Sequence, residues 1–251
     1  MNPEDFIQTV FKTLGYTAQK IQESSKDKSP DFIVSGDGFT YLIELKTKLA
    51  DPEKILRRDE TLQKGEIASE SEATGRRNRL SGVLRTASKQ LSEYKGQPVR
   101  FRLVWMLAQG HHPDVQMLQF EATLYGKMDI IDMAQSGFLP CYYFTHSDFY
   151  TFRASIDGAI ISTGSEAKFC LNTYSENYQL LKDSPLFNKF RPGVLDPLEL
   201  EKEGFAFIAD CEIERSNENA MIGYLCAKYK EDRLMPIQMG YHSASVRVRK
   251  E

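Results

Sequence analysis

The sequence has few of the features that mark secreted, membrane-embedded or nucleotide-binding proteins. Its four cysteines are scattered without a C-x-x-C pair, which favours reduced thiols over a disulfide framework or a zinc site. It has neither the basic start and apolar run of a signal peptide nor an apolar stretch of the roughly 20 residues that span a bilayer. It also has no glycine-rich phosphate loop, which argues against ATP binding. We therefore expect a soluble cytoplasmic protein without a membrane partner.

An excess of positive charge is also lacking, because 32 basic residues face 35 acidic residues and the formal net charge is −3. The distribution is nevertheless uneven. Residues 76–102 contain eight basic residues and a single acid, Glu93. Such a stretch is able to follow a phosphate backbone, and a solvated helix face explains it equally well. Charge alone leaves nucleic-acid binding open.

Residues 1–107 predict a helix, three strands, a second helix and a fourth strand. Asn2 and Pro3 suit the first positions of a helix, and Gly15 suits its end. Asp37-Gly38 lies between two apolar runs and predicts a hairpin. In chain order, the predicted segments are a helix at 2–15, strands at 16–21, 31–34 and 39–46, a helix at 80–91 and a strand at 99–108. This order predicts an α/β fold.

The remaining segments have weaker patterns. Residues 49–79 are highly charged and lack periodicity, so we expect an insertion into the core with some helix and a mobile loop at 69–75. Residues 108–251 predict a C-terminal α+β extension or accessory domain without an assigned role. Its predicted elements are a helix at 117–135 and strands at 141–150, 158–163, 205–214 and 221–229.

Two carboxylates and a lysine meet at the open end of the predicted hairpin. Asp31 lies six residues before Asp37 and Glu44 seven residues after it, so the hairpin places the two acids side by side. Glu44 and Lys46 are two residues apart on one strand and share a face. The carboxylates and the carbonyl of Leu45 are the hard oxygen ligands that Mg²⁺ or Mn²⁺ prefers. This set suits phosphodiester hydrolysis, with Lys46 orienting or helping to deprotonate water, although alternating Glu and Lys is also common on solvated strands.

Pro30-Asp31 followed by Glu44-Leu45-Lys46 resembles the motif of the PD-(D/E)XK, or restriction endonuclease-like, nucleases. The resemblance covers the N-terminal core and implies a restriction endonuclease-like mixed central sheet flanked by helices. It implies Asp31, Glu44 and Lys46 as catalytic residues. It also implies a Mg²⁺ or Mn²⁺ ion as cofactor, held by Asp31, Glu44 and the Leu45 carbonyl. DNA is the implied partner, and a homodimer or a larger protein complex is an implied assembly.

Residues outside the hairpin extend the resemblance. Gln90 and Tyr94 resemble the Q-x-x-x-Y motif of RecB-type members, where both lie beside the active site and contact nucleic acid, and this implies a catalytic role for Gln90. They share a helical face, which a half-buried tyrosine with a polar neighbour also explains. Arg85 and Lys89 on the same helix are predicted to hold phosphates. The start of the chain resembles Holliday-junction resolvases and Mrr-type enzymes, which implies Glu4 as a metal ligand. The helix dipole also favours an acid there.

These motifs together predict a Mg²⁺-dependent endodeoxyribonuclease that hydrolyses DNA phosphodiester bonds, in DNA processing or in defence against foreign DNA. The alternative is a non-catalytic nucleic-acid-binding or assembly subunit of a larger complex. The intact acid pair argues against this alternative, because binding alone needs no buried carboxylates. A plain interaction domain is a third possibility, and the basic stretch argues against it.

Overall fold

The central element of the molecule is a seven-stranded mixed sheet with helices on both faces. The computed structural model describes residues 2–22, 29–48, 52–110, 112–133, 137–191, 193–237 and 240–247. In these ranges the helices are α1 (Pro3–Thr13), α2 (Pro52–Gln63), α3 (Asn78–Glu93), α4 (Pro113–Tyr125), α5 (Asp148–Thr151), α6 (Tyr178–Lys182), α7 (Pro185–Lys189), α8 (Pro197–Lys202) and α9 (Glu218–Tyr229). The strands are β1 (Thr17–Lys20), β2 (Phe32–Gly36), β3 (Phe39–Lys48), β4 (Ala68–Ala73), β5 (Phe101–Ala108), β6 (Met128–Asp132), β7 (Gly137–Tyr142), β8 (Gly158–Ser162), β9 (Ala167–Leu171), β10 (Val194–Leu195), β11 (Phe207–Ile208), β12 (Leu234–Ile237) and β13 (Tyr241–Val246). None of the helices in these ranges is long and apolar enough to cross a membrane.

The strand order of the large sheet is β1-β2-β3-β5-β8-β9-β10. Its centre is parallel, because β3 pairs with β5 and β5 with β8 in that sense, whereas β1, β2 and β3 pair antiparallel. Parallel strands are covered on both faces, so β5 is apolar at every position except Arg102. Leu103 and Trp105 pack in the cluster that includes α1 and α7, as the predicted strand face requires. Val104 and Met106 pack on the other face with α3 and α4.

The hairpin between β2 and β3 forms as predicted. Gly36 pairs with Phe39, so the loop consists of Asp37 and Gly38, and both have positive φ angles, 50° and 80°. Such angles belong to a type I′ turn, whose twist matches that of the flanking strands. The Tyr16 hydroxyl donates a hydrogen bond of 2.7 Å to the Asp37 carboxylate. This contact fastens the turn to the segment after α1.

The prediction of a mobile loop at residues 69–75 is wrong. Residues 68–73 form β4, which pairs antiparallel with β13 from the C-terminal end of the chain. The strand sequence is polar and lacks apolar alternation, so its partner, more than 160 residues away along the chain, supplies the order that local sequence does not predict. The insertion also contains α2, as expected, while residues 49–51 lie outside the described ranges.

Four of the elements predicted after residue 108 differ in the structure. The strand predicted at 141–150 includes only the end of β7 before α5 begins, and the strand predicted at 205–214 is reduced to β11. The helix predicted at 117–135 ends at Tyr125, because Gly126 adopts a left-handed φ of 62° and β6 follows; residues 134 and 135 are not among those described. The strand predicted at 221–229 is instead α9, which starts where the Asn217 side chain accepts a 3.1 Å hydrogen bond from the Ala220 amide. Helix α9 packs on a second, four-stranded sheet of order β11-β7-β6-β12.

The predicted division at residue 107 does not coincide with the sheet. Strand β8 pairs along β5, and β9 and β10 extend the same sheet beyond it. The buried clusters on both faces also combine residues from before and after this position. A parallel partner must cross over from a distant part of the chain, so the neighbour of β5 is not evident from adjacent sequence.

Candidate active site

Asp31 lies beside Glu44 at the open end of the hairpin. The ladder between β2 and β3 begins at Phe32 and Ile43, and the Asp31 amide donates to the Ile43 carbonyl at 3.1 Å. One carboxylate oxygen of Asp31 accepts a 2.6 Å hydrogen bond from the Leu45 amide. The side chain thus takes the place of a backbone acceptor where the ladder ends, which holds the carboxylate against β3.

Glu44 is a buried carboxyl with incomplete hydrogen bonding. It is 1% exposed, and its Oε2 atom has no hydrogen-bond partner among the described residues, while Oε1 accepts from the Lys46 ammonium. Burial, and then the negative charge of Asp31, raise the pKa of Glu44 to about 7. Burial also raises the pKa of Asp31, although the Leu45 amide and Lys46 oppose it. Two such carboxyls repel each other when ionised, so the site favours an added positive charge.

Lys46 is held between the sheet and helix α3. Its ammonium donates to Glu44 and, at 3.2 Å, to the side-chain oxygen of Gln90. The amide nitrogen of Gln90 donates to the Ser29 carbonyl, also at 3.2 Å. Gln90 therefore links Lys46 to the segment that leads into Asp31. Because Gln90 is largely buried, it restrains both the lysine and the acid-bearing segment.

Glu4 lies next to this group but is occupied by another partner. It lines the same cleft as Asp31, and its charge contributes to raising the pKa of Asp31 after burial. Its carboxylate forms an ion pair of 2.5 Å with Lys20. The side chains of Glu4 and Lys20 are 34% and 51% exposed, so this is a surface pair of small energetic value. Its position permits the predicted ligand role only if the ion pair with Lys20 opens.

A divalent cation fits the donor set at Asp31 and Glu44. Among the described residues, no three His, Cys, Asp or Glu side chains are grouped so that they could hold a metal. Mg²⁺ is commonly held by one or two carboxylates and several waters, so two acids suffice. The unpartnered oxygen of Glu44 would supply one ligand and Asp31 a second. The Leu45 amide faces Asp31, and the carbonyl of the same residue shares that strand edge beyond the last pair with β2.

Helix α3 separates the remaining predicted residues into two groups. With 3.6 residues per turn, Arg85 is about 140° and Lys89 about 100° around the helix from Gln90. Arg85 is exposed, and Lys89 lies 3.9 Å from Glu93 on the outer surface. Tyr94, at the end of α3, is half-buried and packs against the core cluster. The structure therefore brings Gln90 to the carboxylates but not Arg85 or Lys89.

Four basic residues that were not predicted as site residues also lie beside the candidate active site. A cleft of about 790 Å³ begins at Lys46 and is lined by the basic residues Lys48, Lys54, Arg77 and Arg79. Lys48 continues the alternation of Glu44 and Lys46 along β3, so this face was recognisable in the sequence. The place of Lys54 depends on α2, which the sequence did not position.

Comparisons with protein-family models, with curated proteins and with solved structures found no match to this chain. The function of the chain is therefore inferred from the geometry, burial and charge of its own residues.

Proposed function

We propose that this protein is a metal-dependent nuclease that hydrolyses DNA phosphodiester bonds, with a restriction endonuclease-like core. The observation that carries the proposal is the convergence of Asp31, Glu44 and Lys46 at one end of a hairpin, with Gln90 holding the lysine. With α2 and β4 inserted between β3 and α3, the order α1-β1-β2-β3-α3-β5 around a mixed sheet supports the fold assignment.

The residues divide the chemistry among them. Asp31, Glu44 and the Leu45 carbonyl supply oxygen ligands for Mg²⁺ or Mn²⁺. When bound, the cation lowers the pKa of water and offsets charge on the phosphate oxygens. Lys46 carries hydrogen-bond donors into the same space, where it orients water and binds a phosphate oxygen. Gln90 positions Lys46 through its side-chain oxygen.

Burial of Glu44 favours cation binding in the proposed mechanism. A carboxyl without a partner for one oxygen is costly in the metal-free protein, and a cation removes that cost. Because the pKa of Glu44 is about 7, cation binding near neutral pH displaces a proton from this carboxyl. Affinity for the cation should therefore fall as the pH drops below 7.

The test is cleavage of a supercoiled plasmid and a single-stranded circle with Mg²⁺, with Mn²⁺ or with EDTA. Wild-type protein is compared with Lys46→Ala, and Lys202→Ala serves as the matched control because its side chain is 78% exposed on α8. We expect metal-dependent cutting by the wild type and Lys202→Ala, and its loss in Lys46→Ala. A contaminating nuclease would instead cut equally in all three preparations.

Absence of cleavage would also distinguish between the proposed functions. Absence of cutting on both substrates, together with absence of Mg²⁺ binding by calorimetry, would refute the nuclease proposal. The alternative of a non-catalytic nucleic-acid-binding or assembly subunit would then be favoured. Cutting that survives Lys46→Ala unchanged would show that the chemistry takes place elsewhere on the chain.

A further inference from the structure

The basic cleft, defined by Lys48, Lys54, Arg77 and Arg79, extends from the candidate active site into the protein. Strand β3 forms one side, α2 and β4 another, and the start of α3 and of α4 close it. Lys46 belongs both to the cleft and to the group around Glu44. A ligand in the cleft therefore reaches the candidate catalytic residues directly.

The positive charge of the cleft is only partly neutralised. Glu72 pairs with Lys54 at 2.7 Å, and Glu70 lies 3.3 Å from the His112 ring. Arg77 and Arg79 form no ion pair with any described residue. Two guanidinium groups are thus available to an anionic ligand.

Further features of the cleft favour an anion. The start of α3 points its positive dipole end here, and its N-cap residue, Arg77, makes no side-chain capping hydrogen bond within the described part of the chain. Lys48 donates to the side-chain oxygen of Gln119 and to no carboxylate of the residues that the structure describes. Burial lowers the pKa of Lys48, as do the nearby cations Arg77, Lys54 and Arg79, with Glu72 opposing them. Such crowding of like charges is relieved when phosphates enter.

The size of the cleft decides between one strand and two. The cleft holds about 790 Å³, equivalent to a cube about 9 Å on a side, whereas a DNA duplex as a whole is wider than its own ~12 Å major groove. The cleft is therefore too small to enclose a duplex, and positively charged grooves that follow one backbone are the usual sites of single-strand binding. We propose that the basic cleft binds the sugar-phosphate backbone of a single polynucleotide strand, with Arg77 and Arg79 on its phosphates. The strand's delivery to Lys46 for cleavage rests on the proposed nuclease function.

The test measures binding without cleavage, by fluorescence anisotropy of labelled oligonucleotides in EDTA over a series of salt concentrations. The variant is Arg77→Ala/Arg79→Ala. The control is Arg85→Ala/Lys89→Ala, which removes the same charge from the other flank of α3. Single-stranded DNA, single-stranded RNA of the same sequence and the DNA duplex are compared. Because Arg79 is exposed, Arg79→Glu gives a second variant that retains the fold.

We expect single strands to bind at least about tenfold more tightly than the duplex. Loss of two phosphate contacts should reduce the slope of log affinity against log salt by about 1.4 and weaken binding about tenfold or more. The control should keep the wild-type slope. The preferred single strand, DNA or RNA, identifies the source of the backbone. Equal binding of the duplex, or equal losses in variant and control, would overturn the proposal.

The design separates this inference from the nuclease proposal. If binding depends on Arg77 and Arg79 but the protein never cleaves nucleic acid, the proposal for the basic cleft stands and the nuclease proposal is refuted. If cleavage does not depend on either arginine, the nuclease proposal stands and the proposal for the cleft is refuted.

Discussion

Replacing Glu44 with glutamine is expected to stabilise the metal-free protein at alkaline pH. The carboxyl is 1% exposed, one of its oxygens has no hydrogen-bond partner, and Asp31 adds a second negative charge beside it. Glutamine has nearly the same shape, retains an oxygen that accepts from Lys46, and carries no charge. The substitution therefore removes the cost of burying the ionised group.

The magnitude and sign follow from the pKa of Glu44. The unfolded carboxyl ionises around its ordinary value of 4.5, and the folded carboxyl keeps its proton up to about pH 7. Between these values only the unfolded chain loses the proton, so the stability of the wild type decreases as the pH rises. Above pH 7 the full deficit is present, and at about 1.4 kcal/mol per pKa unit it amounts to about 3 kcal/mol. Below pH 4.5 the deficit disappears.

The assay is urea unfolding in EDTA, for wild type and Glu44→Gln, at about pH 4.5 and about pH 8.5. The difference in free energy of unfolding between the variant and the wild type should rise by about 3 kcal/mol between the two pH values. Glu121→Gln is the matched control. Glu121 is also buried, but Lys127 and Lys168 outweigh burial and lower its pKa, so its ionised form stabilises the fold. That variant should be less stable than the wild type by nearly the same amount at both pH values, because the stabilisation by ionised Glu121 is gained below about pH 4.5 and changes little above it.

One result would refute the reasoning. If Glu44→Gln lowers the free energy of unfolding by the same amount at both pH values, the Glu44 carboxyl ionises normally in the folded state. The pairing of Glu44 with Lys46 would then outweigh burial, as the pairing with Lys127 and Lys168 does for Glu121. The case for a buried acid that requires a cation would be lost with it.

Three further outcomes are expected. Mg²⁺ should raise the melting temperature of the wild type by an amount that grows with its concentration, and Asp31→Asn should abolish this shift, as measured by calorimetry. Gln90→Ala should lower kcat for DNA cleavage about tenfold or more with little change in KM, because Lys46 loses its second partner; an effect on KM alone would contradict a positioning role. Gly36→Ala should cost about 1–3 kcal/mol of stability in urea unfolding, because its Cβ would lie 2.4 Å from the buried Tyr16 ring; a neutral effect would mean that the ring moves aside.

The N-terminal elements were predictable because their determinants are local. The Asn2 cap, the Asp37-Gly38 turn and the alternation along β3 each act within a few residues. The same local rules place Asp31 beside Glu44, since a two-residue turn sets the register of a hairpin. The prediction for residues 221–229 was wrong, because a helix buried on only one side leaves apolar residues on its other face and its pattern resembles that of a strand.

The sequence by itself determined the hairpin, its two carboxylates and the lysine on the same face as Glu44. Only the tertiary structure decided what surrounds them. The apolar periodicity of α3 already turns Arg85 and Lys89 away from its buried face, but only the packing of the helix on the sheet brings Gln90 to Lys46. The pairing of β4 with β13 and of β5 with β8 joins segments far apart in the chain. Such contacts are stabilised by burial and hydrogen bonding in the folded state. Their partners therefore cannot be identified from neighbouring residues.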